Sequence, residues 1–381
     1  MPSVAVLGAG PTGLEAALAA QRRGWPVTVY EQAPQVGGYV RRWGHVRLFT
    51  PWSMNVGPLA ASLLGVPDDA DPPTGDDYAR HLERVAALLP DVRLACRVDQ
   101  VARQGLLKNE EIGSDARGRQ PFLLLVSGPD GQESMQTADV VLDCTGTYGH
   151  PNPTGDGGIP APGERACDDL VVRQIPRVDA GWAGRRVLLV GSGYSAQTAA
   201  RDLTAAGVEL VWAVRRTEPT WGAVEGDSLP DRAALVAGSR AIAATGVLRS
   251  GVVVQAMRRD GDRVTVVLRD RAGAEQQEVV DVVVSMTGAV GDHRMFRQLQ
   301  VHECYATEGP IALAATLLGS EGGDCLAQTS AGVDVLRNPE PGFFVLGSKS
   351  YGRTNSFLLR TGFEQVTEVF DALDADLLVG A

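Results

Sequence analysis

Two stretches of the chain share one pattern of apolar and polar positions. In the first, Val4–Leu7 is a four-residue apolar run, too short for a helix and suited to a buried parallel strand. A glycine-rich turn follows, then residues 14–23, LEAALAAQRR, an Ala- and Leu-rich helix that stops at Gly24 as a C-cap would. Residues 26–31, PVTVYE, predict a second strand. In the other stretch, residues 187–190, VLLV, run into a glycine turn at 191–196, a helix over 195–206 that stops at Gly207, and a strand over 208–214, VELVWAV. Each stretch reads as a βαβ unit, which sets the class as α/β with parallel sheets.

The remaining pattern is β-rich. Residues 120–128, QPFLLLVSG, and 262–270, DRVTVVLRD, predict antiparallel arms, one for each βαβ half. Two further buried strands end in Thr-Gly: DCTG at 143–146, and VVDVVVSMTG at 279–288. After the first of these, up to residue 164, the chain turns Gly- and Pro-rich, as a crossover between domains would. Residues 342–347, GFFVLG, predict a last strand, and residues 356–373 a helix of period near 3.6.

The turns themselves suggest the chemistry. Gly8, Gly10 and Gly13 fill a G-x-G-x-x-G pattern that opens a helix after a strand. The first two glycines permit a tight turn and close approach of a pyrophosphate to the backbone, and the third lets helix and strand pack closely. Pro11 and Thr12 complete the turn, and Glu31 ends the second strand, where a carboxylate can accept hydrogen bonds from a ribose. In the second unit Gly191, Gly193 and Ala196 hold the same places, with Ser192, Tyr194 and Ser195 between and beside them. The counterpart of Glu31 there is a pair of cations, Arg215 and Arg216, which favours a 2′-phosphate over a free 2′-hydroxyl. The expected second dinucleotide is therefore NADPH.

After Glu31 the chain reads QAPQVGGYVRRWG, and here it resembles the flavoproteins with two dinucleotide-binding domains. In that family an acid at the strand end followed by Gly-Gly, here Gly37 and Gly38, marks FAD. A Cβ in that loop would obstruct the passing flavin half. The resemblance implies two Rossmann-like domains, an FAD-binding domain over 1–150 and 289–381 with an NADPH-binding domain over 151–288 inserted. It also implies FAD contacts at Gln32, Tyr39, Trp43, Thr50 and Trp52, adenine held by the backbone of Val98, and Cys144, Thr145 and Gly146 beside the flavin. At the far end it implies Gly347, Ser348 and Phe357, where the family usually has Gly-Asp and this chain has Gly347-Ser348-Lys349.

Three functions fit this frame. The flavin-containing monooxygenases, to which the chain is similar, carry a flavin-contacting loop where residues 43–55 stand, with an Asn near the oxygen-reacting position. Thr50 is the nearest counterpart, Asn55 lies further on, and Trp43, Phe49 and Trp52 would wall the ring. That resemblance implies NADPH reduction of FAD, capture of O2 as a flavin hydroperoxide and transfer of one oxygen to a small-molecule substrate, with Thr50, Trp52 and Asn55 as catalytic candidates. The chain departs from those enzymes in lacking F-x-G-x-x-x-H between the turns; Asp168 or Asp169 falls near the histidine's place. The second function is a reductase passing electrons to a quinone, a carrier protein or a disulfide, the last needing a partner for Cys144 such as Cys325. The third is a non-enzymatic nucleotide sensor. His150 and Arg353 are candidate substrate contacts.

Composition narrows the partners. A formal charge of −11 argues against nucleic acid and anionic membranes. No apolar run approaches the length of a membrane span, and the chain opens without a basic leader, so a cytoplasmic protein is expected. The five cysteines show neither C-x-x-C nor zinc spacing, so no metal is expected. A homodimer is compatible with the sequence, and high Ala, Arg, Gly and Asp suggest a bacterial source.

Overall fold

A computed structural model describes residues 1–319, 329–354 and 356–379. These form two compact units, Met1–His150 with Val290–Ala381, and Pro151–Ala289.

The first unit is built on a five-stranded sheet in the order Phe343–Val345, Val140–Asp143, Val4–Leu7, Val27–Tyr30, Val92–Arg93. All four pairings are parallel. The register places Leu7 beside both Tyr30 and Asp143, and Asp143 beside Val345, so four strands end level. Both faces are covered. Val4 and Val6 face a core shared with the helices Pro11–Arg22 and Leu359–Val379. Ala5 and Leu7 face the opposite core, built on the antiparallel arm Arg97–Arg103, Phe122–Ser127, Glu133–Ala138. The strand alternation of side chains produces this division directly.

The second unit repeats the plan. Its parallel sheet runs Leu248–Ser250, Glu209–Val214, Arg186–Val190, Val282–Ser285, Val171–Val172. Val187 and Leu189 pack with the helices Tyr194–Ala205 and Pro230–Ile242, while Leu188 packs with the antiparallel arm Val252–Asp260, Arg263–Asp270, Glu275–Val280. The α/β architecture, with Rossmann-like cores and small antiparallel sheets, agrees with the sequence reading.

Three elements differ from their predicted extent. The run at 279–288 is two strands: Glu275–Val280 belongs to the arm and Val282–Ser285 to the parallel sheet. Asp281 marks the change, its carboxylate accepting the Arg186 N–H at 2.8 Å. Residues 92–98, VRLACRV, read as one strand in the sequence; the run breaks at Ala95, whose φ of 51° is left-handed, and Val98 lies buried on the arm strand Arg97–Arg103. The last helix begins at Leu359, three residues later than predicted, and extends to Val379.

Candidate functional site

At the first glycine turn, the tight backbone is demanded by the protein itself. Gly8 has φ +99°, and a Cβ there would lie 2.7 Å from the Cys144 carbonyl oxygen. A Cβ on Gly13 would lie 2.0 Å from the Gly8 carbonyl oxygen. Gly10 differs: a Cβ there would meet nothing within 4 Å. It is the N-cap of the helix Pro11–Arg22, with no side-chain cap. Helical geometry leaves the first-turn N–H groups of Thr12 and Gly13 without a carbonyl inside the helix, beneath a positive dipole end. An open cradle with unspent donors fits a diphosphate.

Glu31 braces this turn. One carboxylate oxygen accepts the Ala9 N–H and the other the Ala33 N–H, each at 2.8 Å. Burial pushes its carboxyl above the usual range, against the pull of those two N–H groups. The acid expected to hold a ribose is thus also the staple between turn and second strand. Beside it, the Gln32 amide donates to Tyr39 Oη at 2.7 Å. The glycine pair has a local cause. Gly37 has φ +65°, and a Cβ on Gly38 would lie 2.4 Å from the Ala33 Cβ. Within the chain itself, the crowding at Gly38 comes from Ala33.

The level strand ends meet in a polar cluster. Asp143, fully buried, accepts from the Thr145 N–H at 3.1 Å and hydroxyl at 2.7 Å through one oxygen. Its other oxygen accepts from Lys349 Nζ at 2.6 Å. Lys349 also donates to Thr145 Oγ1 at 3.3 Å and the Asp292 carbonyl at 2.6 Å. Gly291 leaves the lysine stem its path, since a Cβ there would lie 2.5 Å from Lys349 Cγ. The sequence reading missed Lys349; the signal was Asp143, an acid closing an otherwise apolar buried strand, which requires a cation. Cys144 packs under the turn, its thiol raised well above the usual range by burial first and by Asp143 next. Gly146 faces Ser348, and Gly347, with φ +73°, would bring a Cβ to 2.9 Å from Thr12 Oγ1. Phe357 lies edge-on to Tyr351 and against Gly362. These residues of four segments, Thr12, Gly146, Gly347 and Phe357, thus adjoin the turn or its immediate neighbours.

Thr50, Trp52 and Asn55 form a separate group. The Asn55 amide donates to the carbonyls of Thr50 at 2.9 Å and Pro51 at 2.8 Å, and its oxygen accepts from Thr50 Oγ1 at 3.0 Å. Both amide protons are spent closing this turn. The Trp52 ring packs on Tyr78 and His81, and Trp43 lies 6.2 Å from Tyr148. Asn55, Tyr78, His81 and Glu15, the last three unremarked in the sequence, line a small buried pocket with Pro11 and Phe363. His150 stands 4.0 Å from Asp292, and Arg353 pairs with Glu308 at 2.8 Å. Cys325 lies outside the described residues.

In the second unit the same steric logic recurs. Gly191 has φ +121°, and a Cβ there would lie 2.3 Å from the Met286 carbonyl oxygen, whereas a Cβ on Gly193 meets nothing within 4 Å. Gly193 caps the helix Tyr194–Ala205 without a side-chain cap, and Ala196, fully buried, takes the third glycine's place. Ser192 and Ser195 flank the opening. Arg215 and Arg216 are exposed just past Glu209–Val214, and neither pairs with a carboxylate among the described residues. This cradle fits a second diphosphate.

Among the described residues no His/Cys/Asp/Glu group could hold a metal, and no helix is long and apolar enough to cross a membrane.

A family model described as pyridine nucleotide-disulphide oxidoreductase matches residues 2–308. No curated protein matches the chain. Among solved structures, a bacillithiol disulfide reductase from Bacillus cereus aligns with a TM-score of 0.72 at 18% identity, covering 98% of this chain and 99% of that one. An ornithine N-hydroxylase from a Kutzneria species aligns at 0.68 and 14% identity, covering 99% of each. A flavin-containing monooxygenase from Stenotrophomonas maltophilia aligns at 0.63 and 20% identity, again covering 99% of each. At these identities the likeness is one of fold.

Proposed function

The chain belongs to the pyridine nucleotide-disulphide oxidoreductase family, so it is an FAD-dependent oxidoreductase using NAD(P)H, and we propose that it is a monooxygenase driven by NADPH. In this reading residues 1–150 and 289–381 hold FAD and residues 151–288 hold NADPH. The bound flavin would accept hydride from the nicotinamide and supply the reducing electrons for oxygen chemistry on a small-molecule substrate.

The chain's own residues bind and position. Gly8, Gly10 and Gly13 shape the FAD diphosphate cradle, with the N–H groups of Thr12 and Gly13 as donors. Glu31 keeps unused lone pairs for a ribose. Thr145, held by Asp143 and Lys349, presents a fixed hydroxyl at the strand ends. Arg215 and Arg216 take the 2′-phosphate.

The observation that carries the oxygenase reading is the state of Cys144. A disulfide-reducing site attacks through a thiolate. This cysteine is buried beneath the turn, and both burial and the Asp143 carboxylate favour its protonated form. This argues against disulfide reduction through Cys144, whereas dioxygen needs no protein nucleophile.

The test is NADPH oxidation under labelled dioxygen against a panel of amines, thiols and ketones. Label in one product supports the proposal. Turnover only with a quinone, a carrier protein or a disulfide, with no label incorporated, overturns it in favour of a reductase.

A further inference from the structure

Past Arg216 the chain does not leave the second glycine turn but returns to it. The indole N–H of Trp212, on the strand Glu209–Val214, donates to the Gly191 carbonyl at 2.8 Å. The ring of Trp221 lies 4.8 Å from that of Trp212, and both are buried. The amide of Gln197, fully buried on the helix Tyr194–Ala205, donates to two carbonyls: Ser192 of the turn at 3.1 Å and Trp221 at 2.9 Å. One residue on, Tyr194 Oη donates to the Gly222 carbonyl at 2.5 Å. Trp221 holds φ +60°, a left-handed conformation that a bulky residue rarely adopts, so the surrounding contacts impose it.

The segment 215–222 is therefore pinned at both ends to the same turn. At its start the Ala213 carbonyl accepts the Gly191 N–H at 3.1 Å. At its end Trp221 and Gly222 are latched by Gln197 and Tyr194. The two guanidinium groups, without a carboxylate partner among the described residues, ride on this tethered loop. A loop with both ends fixed pays little ordering cost when its arginines close on an anion, whereas a loop free at one end pays that cost on binding.

We propose that Gln197 and Tyr194 are positioning residues for coenzyme discrimination: by seating Trp221 and Gly222 over the second turn they hold Arg215 and Arg216 where a 2′-phosphate arrives. This rests on the reading that the second turn holds NADPH. The coenzyme without a 2′-phosphate does not call on the arginines, so loss of the latch should weaken the phosphorylated form selectively.

The experiment measures dissociation constants of NADP+ and NAD+ for the flavin-loaded wild type, Tyr194→Phe and Gln197→Met, with flavin content and melting temperature recorded for each. Wild type preferring NADP+ establishes the underlying reading, and equal affinity for the two in wild type defeats that reading and the latch with it. Given that preference, each variant is expected to bind NADP+ about fivefold to tenfold more weakly, as loss of its hydrogen bonding to the loop implies, with NAD+ affinity little changed. An unchanged ratio in Tyr194→Phe, the milder replacement, overturns the proposal. So does equal weakening of both coenzymes, which would mark a merely structural role.

Discussion

Lys349 Nζ lies 2.6 Å from Asp143 Oδ2, and both side chains are fully buried. The pair joins the end of the strand Val140–Asp143 to the segment after Phe343–Val345. Breaking it from one side strands an uncompensated charge. Lys349→Met is expected to cost about 3–5 kcal/mol. Asp143→Asn combined with Lys349→Met should cost less than the sum of the two single changes, because neither charge is then left alone. Denaturant unfolding of the four proteins checks this; additive losses would mean the pair is not coupled.

The glycines of the first turn separate folding from binding. Gly13→Ala forces a Cβ to 2.0 Å from the Gly8 carbonyl oxygen, so the turn must rearrange and the folded protein should be largely lost. Gly10→Ala meets no protein atom, and the φ of −86° suits alanine. Its unfolding free energy without flavin should stay within about 0.5 kcal/mol of wild type, while flavin affinity falls by about tenfold or more. Melting curves with and without added FAD decide it. A Gly10→Ala protein that retains flavin as wild type does would remove the diphosphate from this cradle.

Arg215→Glu with Arg216→Ala removes the two unpaired cations beyond the strand Glu209–Val214. The preference for NADPH over NADH should drop by about tenfold to a hundredfold in kcat/KM. Because the contacts are exposed, the wild-type preference should also shrink with added salt. Steady-state kinetics with both coenzymes would show an unchanged ratio if the arginines are ordinary surface charges.

The buried pocket behind the first helix predicts two opposed pH limbs. Burial raises the Glu15 carboxyl above its usual 4.5, though the N–H groups of Leu59 and Ala60 pull it down. The folded state binds that proton more tightly, so this contribution is full below 4.5 and lost as pH rises through the raised value. Burial, then the neighbouring Arg84, hold His81 below its usual 6.5. Its contribution is full above 6.5 and lost as pH falls through the depressed value. Glu15→Gln should flatten the fall of melting temperature as pH rises past 4.5, and His81→Phe the fall as pH drops below 6.5. Slopes that match wild type would contradict the assignment.

What was legible in the sequence follows from locality. Val4–Leu7, Gly13 and the Ala-rich helices obey demands made within one βαβ unit, whereas Gly8 and Gly191, legible from the turn motif, clear the distant carbonyls of Cys144 and Met286. The antiparallel arms were legible through their apolar alternation. Long-range pairing was not. Asp143 and Lys349 stand 206 residues apart, and Glu340 joins Arg103 and Arg117 across 237 and 223 residues. No local pattern names a partner at such separation. The break at Asp281 was hidden because both flanking runs are valine-rich and only the change of sheet separates them. Asn55 was read as a site residue from its place along the chain, but its hydrogen bonds close a local turn.

Two phosphate cradles serving one redox relay is the central claim, and anaerobic titration of the purified protein with NADPH tests it most directly. The account predicts a yellow protein carrying a single FAD per chain, its flavin absorbance bleached by a stoichiometric amount of NADPH. A colourless protein that takes up no added FAD, or a bound flavin that NADPH leaves oxidised, would contradict it.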